Sequence, residues 1–131
     1  MCGGDKMTRI KRKGLAPSTL DKAWSMAVKT RDKFRCRVCF GEGTDAHHII
    51  HRGQNYGMRW DIENGITLCR TCHDKADTLG GRKEIMKLVN SEYLEHNEAG
   101  FRLKHDFLKK KGLDEIEFKS LRLKELKEVV K

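Results

Sequence analysis

Near the start of the chain, apolar residues recur every three or four positions, which is the spacing of one helix face. This pattern predicts a helix over about residues 19–31. Its apolar positions are Leu20, Ala23, Trp24, Ala27 and Val28. Ser18 is followed three residues later by Asp21, an arrangement that resembles a capping box. We therefore expect Ser18 to begin this helix.

Two short apolar runs further along the chain predict strands, one over residues 46–50 and one over residues 65–69. The two strands could pair in the antiparallel sense. Between them, Asp61 can cap a single helical turn that ends at Asn64. A further helix is expected to begin near Arg70, directly after the second strand.

Helical spacing returns in the C-terminal part of the chain. One stripe comprises Ile85, Met86, Leu88, Val89 and Leu94, and a shorter one Phe101, Leu103, Phe107 and Leu108. Gly112 is expected to stop the shorter helix. The last segment, 114–131, alternates Glu and Lys around apolar residues, which predicts an exposed amphipathic helix for packing or for dimer formation.

The composition favours one small domain with a polyanionic partner. The chain has 131 residues, of which 37% are apolar and 36% charged, so the core should be modest and supported by a metal or by oligomerisation. The net charge of +9 suits nucleic acid. No stretch approaches the roughly eighteen apolar residues of a membrane helix, so we expect no membrane contact and no export.

The predicted elements divide the chain into three regions. Residues 1–17 are rich in glycine and basic residues without apolar periodicity, which predicts a flexible basic arm. Residues 18–80 hold both strands and most of the candidate chemistry, and residues 81–131 form a helical C-terminal extension. Separate helices combined with a short antiparallel strand pair predict an α+β fold.

Four of the five cysteines lie in two C-x-x-C pairs, Cys36–Cys39 and Cys69–Cys72, separated by 29 residues. Four thiolates offered in pairs suit a closed tetrahedral zinc site, which holds a fold together rather than acting on a substrate. The alternatives are buried cysteines that act as small apolar residues, or a redox dithiol. Cys2 is left over.

A second group of polar side chains lies around the predicted strands. It comprises His47, His48, His51, Asn64 and His73. Side chains alternate along a strand, so His47 and His48 should point to opposite faces and cannot do the same work. His73 directly follows Cys72 at the start of a helix, so we expect it to turn away from the zinc and to face the strands.

These residues together resemble the HNH endonuclease family, in its members with two C-x-x-C pairs. The resemblance covers residues 36–74 and runs through Cys36, Cys39, Asp45-Ala-His-His-Ile-Ile, Asp61-Ile-Glu-Asn-Gly-Ile-Thr-Leu-Cys and Arg70-Thr-Cys-His. It implies a zinc-stapled strand, strand, helix (ββα-metal) core with flanking helices. Where many members have aspartate before the strand's catalytic histidine, this chain has His47, as in members with a double histidine.

The resemblance also implies roles for individual residues. His47 and His73 would bind a catalytic divalent metal, His48 would be the general base, and Asn64 would orient the loop between the strands through backbone contacts. Two imidazole ligands favour Mn²⁺, Co²⁺, Ni²⁺ or Zn²⁺ by ligand softness, whereas availability in cells favours Mg²⁺. His51 would contact phosphate or solvent.

Basic and polar residues in the loop between the strands suggest contacts to DNA. The candidates are Arg52, Gln54 and Arg59, together with Arg70 beside the second cysteine pair. Trp60 is expected to pack in the core rather than to stack on bases. No recognition-helix pattern is visible, so contacts to phosphate and groove shape should dominate, with weak sequence specificity.

The sequence thus predicts a metal-dependent endonuclease that hydrolyses DNA phosphodiester bonds. Two other interpretations remain, a non-catalytic zinc-ribbon module that binds nucleic acid, and a structural subunit assembled through the terminal helix. Small free-standing proteins of this kind occur in bacteriophages and bacteria. The resemblance therefore implies a cytoplasmic location in a bacterial cell or infected host, and a packaging or recombination protein as partner.

Overall fold

A computed structural model describes residues 15–51, 55–100 and 103–131, and the side chains of all of these except 97–100. The helices are α1 (Pro17–Arg31), α2 (Arg70–Asp74), α3 (Leu79–Leu88), α4 (Ser91–Gly100), α5 (Lys104–Lys111) and α6 (Glu115–Val130); the strands are β1 (Asp45–His48) and β2 (Gly65–Leu68). Most of the predicted basic arm, together with Arg52, Gln54, Phe101 and Cys2, lies outside the described residues.

The two strands pair antiparallel, with His47 opposite Ile66 and His48 opposite Gly65. Helices and one small sheet within the described residues confirm the predicted α+β class. β1 ends at His48, two residues earlier than predicted, because the next pair is bonded in one direction only: the Asn64 amide donates to the Asp61 carbonyl instead of to Ile49. The amide of Ile49 donates to the Asn64 carbonyl, and that of Ile50 to the Asn64 side chain.

The sheet separates two hydrophobic clusters. The cluster on the cysteine side comprises Cys36, Ile49, Ile50, Met58, Ile66, Leu68, Ala76, Ile85 and Leu94. The α1 cluster comprises Leu20, Trp24, Ala27, Val28, Trp60, Phe107, Phe118 and Leu126. Because a two-stranded sheet is barely stable alone, its position depends on cover from both sides.

The last helix, α6, packs against α1 and buries Phe118 and Leu126 in the α1 cluster. Asp114 caps α6 in a complete capping box with Glu117. Gly112 ends α5 in the left-handed conformation, as predicted. Of the two roles predicted for the last helix, packing is therefore observed. No helix within the described ranges is long and apolar enough to cross a membrane.

Two expectations about helix ends were wrong. Ala16 occupies the N-cap of α1 without a side-chain bond, and Pro17 starts the helix, since its fixed φ suits the first helical turn. Asp21 instead accepts a hydrogen bond from Trp60 Nε1 at 2.8 Å. The stripe over residues 85–94 is split between α3 and α4, where the Asn90 side chain accepts from the Tyr93 amide.

The close seating of α1 on the sheet predicts that Gly65→Ala will be destabilising. A β-carbon at Gly65 would lie 2.6 Å from Trp24 Cζ2 and would also collide with Val28. Overpacking of this kind costs about 1–3 kcal/mol. Urea unfolding should show this loss, while the control Gly80→Ala, which meets no neighbour within 4 Å inside α3, should leave stability unchanged or raise it. Equal effects of the two substitutions would contradict this account.

Candidate metal centre and active site

The four cysteines of the two C-x-x-C pairs converge at one point. Their sulfur atoms all lie within 4.8 Å of one another, and those of Cys39 and Cys69 are 3.7 Å apart. Cys36 sits in a tight turn, where its amide donates to the Gly41 carbonyl at 2.8 Å. Cys69 is the N-cap of α2, and its sulfur accepts from the Cys72 amide at 3.4 Å. Hydrogen bonds within each C-x-x-C segment therefore hold its two sulfurs in place near those of the other pair.

The spacing of these sulfurs fits a zinc ion. Zn–S bonds of about 2.3 Å in a tetrahedron place sulfurs about 3.8 Å apart, close to the observed Cys39–Cys69 separation. Although burial opposes ionisation, backbone amides of Cys39, Cys69 and Val38 lower the pKa of Cys36 to about 6. Burial and the neighbouring sulfurs raise the pKa of Cys72 to about 12. Four thiolates this close need a cation to offset their repulsion, so the cluster suits a structural zinc.

His47 lies on the cysteine side of the sheet, opposite Ile66 of β2. Its side chain is buried. The centroid of its ring lies 5.1 Å from that of His73 and 6.3 Å from that of His51. Burial lowers the pKa of His47 to about 4, with a further contribution from the neighbouring His73. At neutral pH the imidazole is therefore uncharged and offers a lone pair, which is the form that binds a metal.

His73 is oriented by a carboxylate that no sequence prediction had assigned. Its Nδ1 lies 2.7 Å from Asp45 Oδ2, and Arg70 Nη1 lies 3.5 Å from the same oxygen. A proton on Nδ1 donated to Asp45 leaves Nε2 as the acceptor nitrogen. Asp45 could have been found from the sequence, because it stands two residues before His47 and so shares its strand face.

His48 points to the opposite face, toward α1, as the strand alternation predicts. Its ring stacks on Trp24 with centroids 3.7 Å apart and an interplanar angle of 7°. His48 Nε2 lies 2.8 Å from the Arg59 carbonyl oxygen, which can only accept. Nε2 therefore carries the proton of the neutral ring, and Nδ1 carries the lone pair.

Asn64 is fully buried at the junction of β2 and the preceding loop. Its Nδ2 donates to the carbonyls of Ile50 and Met58, both at 3.0 Å, and its Oδ1 accepts from the Ile50 amide at 2.7 Å. One side chain thus ties the start and the end of the loop between the strands. All three contacts of this side chain are to backbone atoms.

Residues 35–78 match the HNH endonuclease family. The match spans both cysteine pairs, the two strands and the three histidines of the site. It indicates a nuclease or nucleic-acid-binding function. The chain is also 38% identical over 50 residues to Anaredoxin from Nostoc sp. (strain PCC 7120 / SAG 25.82 / UTEX 2576), a match that covers 37% of this chain and 63% of that protein. No solved structure matches the chain.

The predicted nucleic-acid contacts lie within residues 35–78, hereafter called the HNH segment, and they differ in how exposed their side chains are. Arg59 donates through both Nε and Nη2 to the Asp21 carboxylate and lies over Trp60, so its guanidinium is engaged within the fold. Trp60 is buried, as expected. Arg70 has a side chain 72% exposed and reaches solvent next to His73. His51 is also exposed and lies 3.3 Å from Asp77.

The cysteine geometry predicts one zinc ion per chain, which the fold requires. In Cys69→Ala, zinc measured by atomic absorption should be lost and the melting temperature should fall sharply, because structural zinc binding contributes directly to folding free energy. The matched control Cys2→Ser, outside both pairs, should keep its zinc and its melting temperature. Full zinc content in Cys69→Ala would rule out this cluster as the zinc site.

Proposed function

We propose that the protein is a metal-dependent endonuclease that hydrolyses DNA phosphodiester bonds. The observation that carries this proposal is the arrangement of three histidines around the end of β1. His47 and His73 lie together on one face, with ring centroids 5.1 Å apart. His48, which follows His47 in the strand, is held by a backbone carbonyl in the tautomer that a general base needs. The match of residues 35–78 to HNH endonucleases supports the same chemistry.

His47 and His73 are the residues that would hold the catalytic metal. A neutral, buried imidazole and a second one backed by a carboxylate form a donor set suited to divalent transition metals. When bound, a divalent metal supplies positive charge at a nonbridging phosphate oxygen and at the departing 3′ oxygen. Asp45 would hold the His73 ring, and Arg70 would bring a guanidinium toward the phosphates.

His48 would take a proton from the attacking water at Nδ1. A neutral imidazole has a lone pair on one ring nitrogen and can accept this proton without activation by another group. The Arg59 carbonyl, bound to Nε2–H, keeps the ring in place and stabilises the positive charge that develops on it. Asn64 would support this arrangement indirectly, because it anchors the loop to which Arg59 belongs.

The charge of the chain is consistent with a DNA substrate. The net charge is +9, and neutralisation of phosphates is the main source of sequence-independent affinity. A phage or bacterial origin, a packaging or recombination partner and a homodimer stay predictions from the sequence. Val129 and Val130, exposed at the end of α6, are where contact with a second copy could be sought.

Replacement of His48 tests the proposed activity. Purified zinc-loaded protein should relax or linearise supercoiled plasmid when Mn²⁺, Ni²⁺ or Mg²⁺ is added, and not in buffer without an added metal. His48→Ala should lower the single-turnover rate by about 10²- to 10⁴-fold, the usual contribution of a general base, while DNA affinity and zinc content stay unchanged. The matched control is His105→Ala, an exposed histidine on α5.

The outcomes separate the nuclease from a non-catalytic zinc-ribbon module. Intact plasmid under every metal, with DNA still bound by the wild type, would favour the binding module. Cutting by His48→Ala at the rate of His105→Ala would remove His48 from the mechanism. Gel-shift and cleavage assays on the same samples report both quantities.

The role proposed for Asp45 predicts a change in metal affinity. In Asp45→Asn the charge behind His73 is lost, and loss of such a partner typically weakens metal binding about 10- to 100-fold. Isothermal titration of the zinc-loaded protein with Ni²⁺ measures this. Asp106→Asn is a matched control, because Asp106 also faces a histidine ring, His105, but in an exposed pair on α5. Equal affinity in all three proteins would contradict the role of Asp45.

A further inference from the structure

Trp24 forms the face-to-face contact with His48 and belongs to α1, outside the HNH segment. The two rings are nearly parallel, at 7°, and their centroids lie 3.7 Å apart, so the indole covers one whole face of the imidazole. This contact reaches the proposed general base from a part of the chain that the family match over residues 35–78 does not include.

The indole is itself held rigidly. Its Nε1 donates to the Asp61 carbonyl at 2.8 Å, across 37 positions of the chain. Trp24 is 2% exposed, and its six-membered ring lies so close to β2 that only a glycine fits at position 65. The hydrogen bond from Nε1 and the close approach of the adjacent Cε2 and Cζ2 atoms to Gly65 hold this edge of the indole in a fixed position.

The hydrogen bond to the Arg59 carbonyl and the stack on Trp24 both restrict the orientation of the His48 ring. The hydrogen bond from Nε2 to the Arg59 carbonyl sets the direction of one ring nitrogen, but it still permits rotation of the ring about that bond. Stacking on the immobile indole removes this second freedom, because an imidazole that turned out of plane would collide with Trp24. Together they set the direction in which Nδ1 points.

We propose that Trp24 is a positioning residue for the general base, which holds the imidazole of His48 in the orientation that directs Nδ1 at the attacking water. This inference rests on the proposed function, in which His48 accepts the proton. It assigns to helix α1 a part in the active site. A base held in one orientation reacts faster than a base that must first rotate into place.

The test compares Trp24→Leu and Trp24→Phe with the control Val28→Ala. Val28 is one turn further along α1, buried in the same cluster and packed on the same Gly65, so its truncation removes buried volume without removing the stack. Single-turnover cleavage, DNA affinity of the zinc-loaded protein without added divalent metal, and the NMR shifts of the His48 ring protons are measured at a temperature where each variant is folded.

In the wild type and in Val28→Ala, the ring current of the indole should displace the His48 ring protons upfield. Trp24→Leu should lose this displacement and cleave on the order of a hundredfold more slowly, with unchanged DNA affinity. Trp24→Phe keeps an aromatic face and should retain most of the rate. This conservative variant also serves if Trp24→Leu does not fold.

Ordinary His48 proton shifts in the wild type would overturn the inference without recourse to any variant. So would a rate in Trp24→Leu equal to that of Val28→Ala, or, if Trp24→Leu does not fold, a Trp24→Phe variant that loses the upfield displacement of the His48 ring protons and still cleaves at the rate of Val28→Ala. A wild type that shows the upfield shift but never cuts DNA would be a failure of the proposed function, and the positioning role would fall with it.

Discussion

Alternation of side chains along the four residues of β1 determines where each part of the candidate site lies. Asp45 and His47 face the cysteine side, where His73 lies, whereas His48 faces α1. A shift of register by one residue would exchange the two faces and place the buried His47 against the indole of Trp24. The antiparallel pairing with β2 holds this register, and a sheet of two short strands depends on its surroundings to keep it.

The cysteine site, which lies on one side of the sheet, also determines the position of His73. Cys69 begins α2 and Cys72 immediately precedes His73, so a metal that holds the two sulfurs also fixes the first turn of that helix. Asp45, on the strand, then meets the ring of His73 from the other direction. A structural ion on the cysteines would therefore determine where His73, a proposed ligand of the catalytic ion, is placed.

Features coded by short-range patterns could be predicted from the sequence. Four of these features depend on neighbours within a few residues: the cysteine pairs, the opposite faces of His47 and His48, the turn capped by Asp61 and the helix end at Gly112. Side-chain contacts between residues that are distant along the chain could not be predicted in this way. The spacing of Asp21 from Ser18 resembles a helix cap. Its carboxylate instead binds Arg59 and Trp60, which lie 38 and 39 positions away. No periodic pattern in the sequence predicts such a contact.

The last helix, α6, is connected to the candidate site through its packing on α1. α6 packs on α1, and Phe118 and Leu126 share a cluster with Leu20 and Trp24. Removal of this cover would expose the outer side of α1 and loosen the helix that carries Trp24. Since the Trp24 indole rests against His48, any displacement of α1 reaches the imidazole directly. The HNH segment supplies the residues of the site, but the helices on both sides of it in the sequence keep His48 in place.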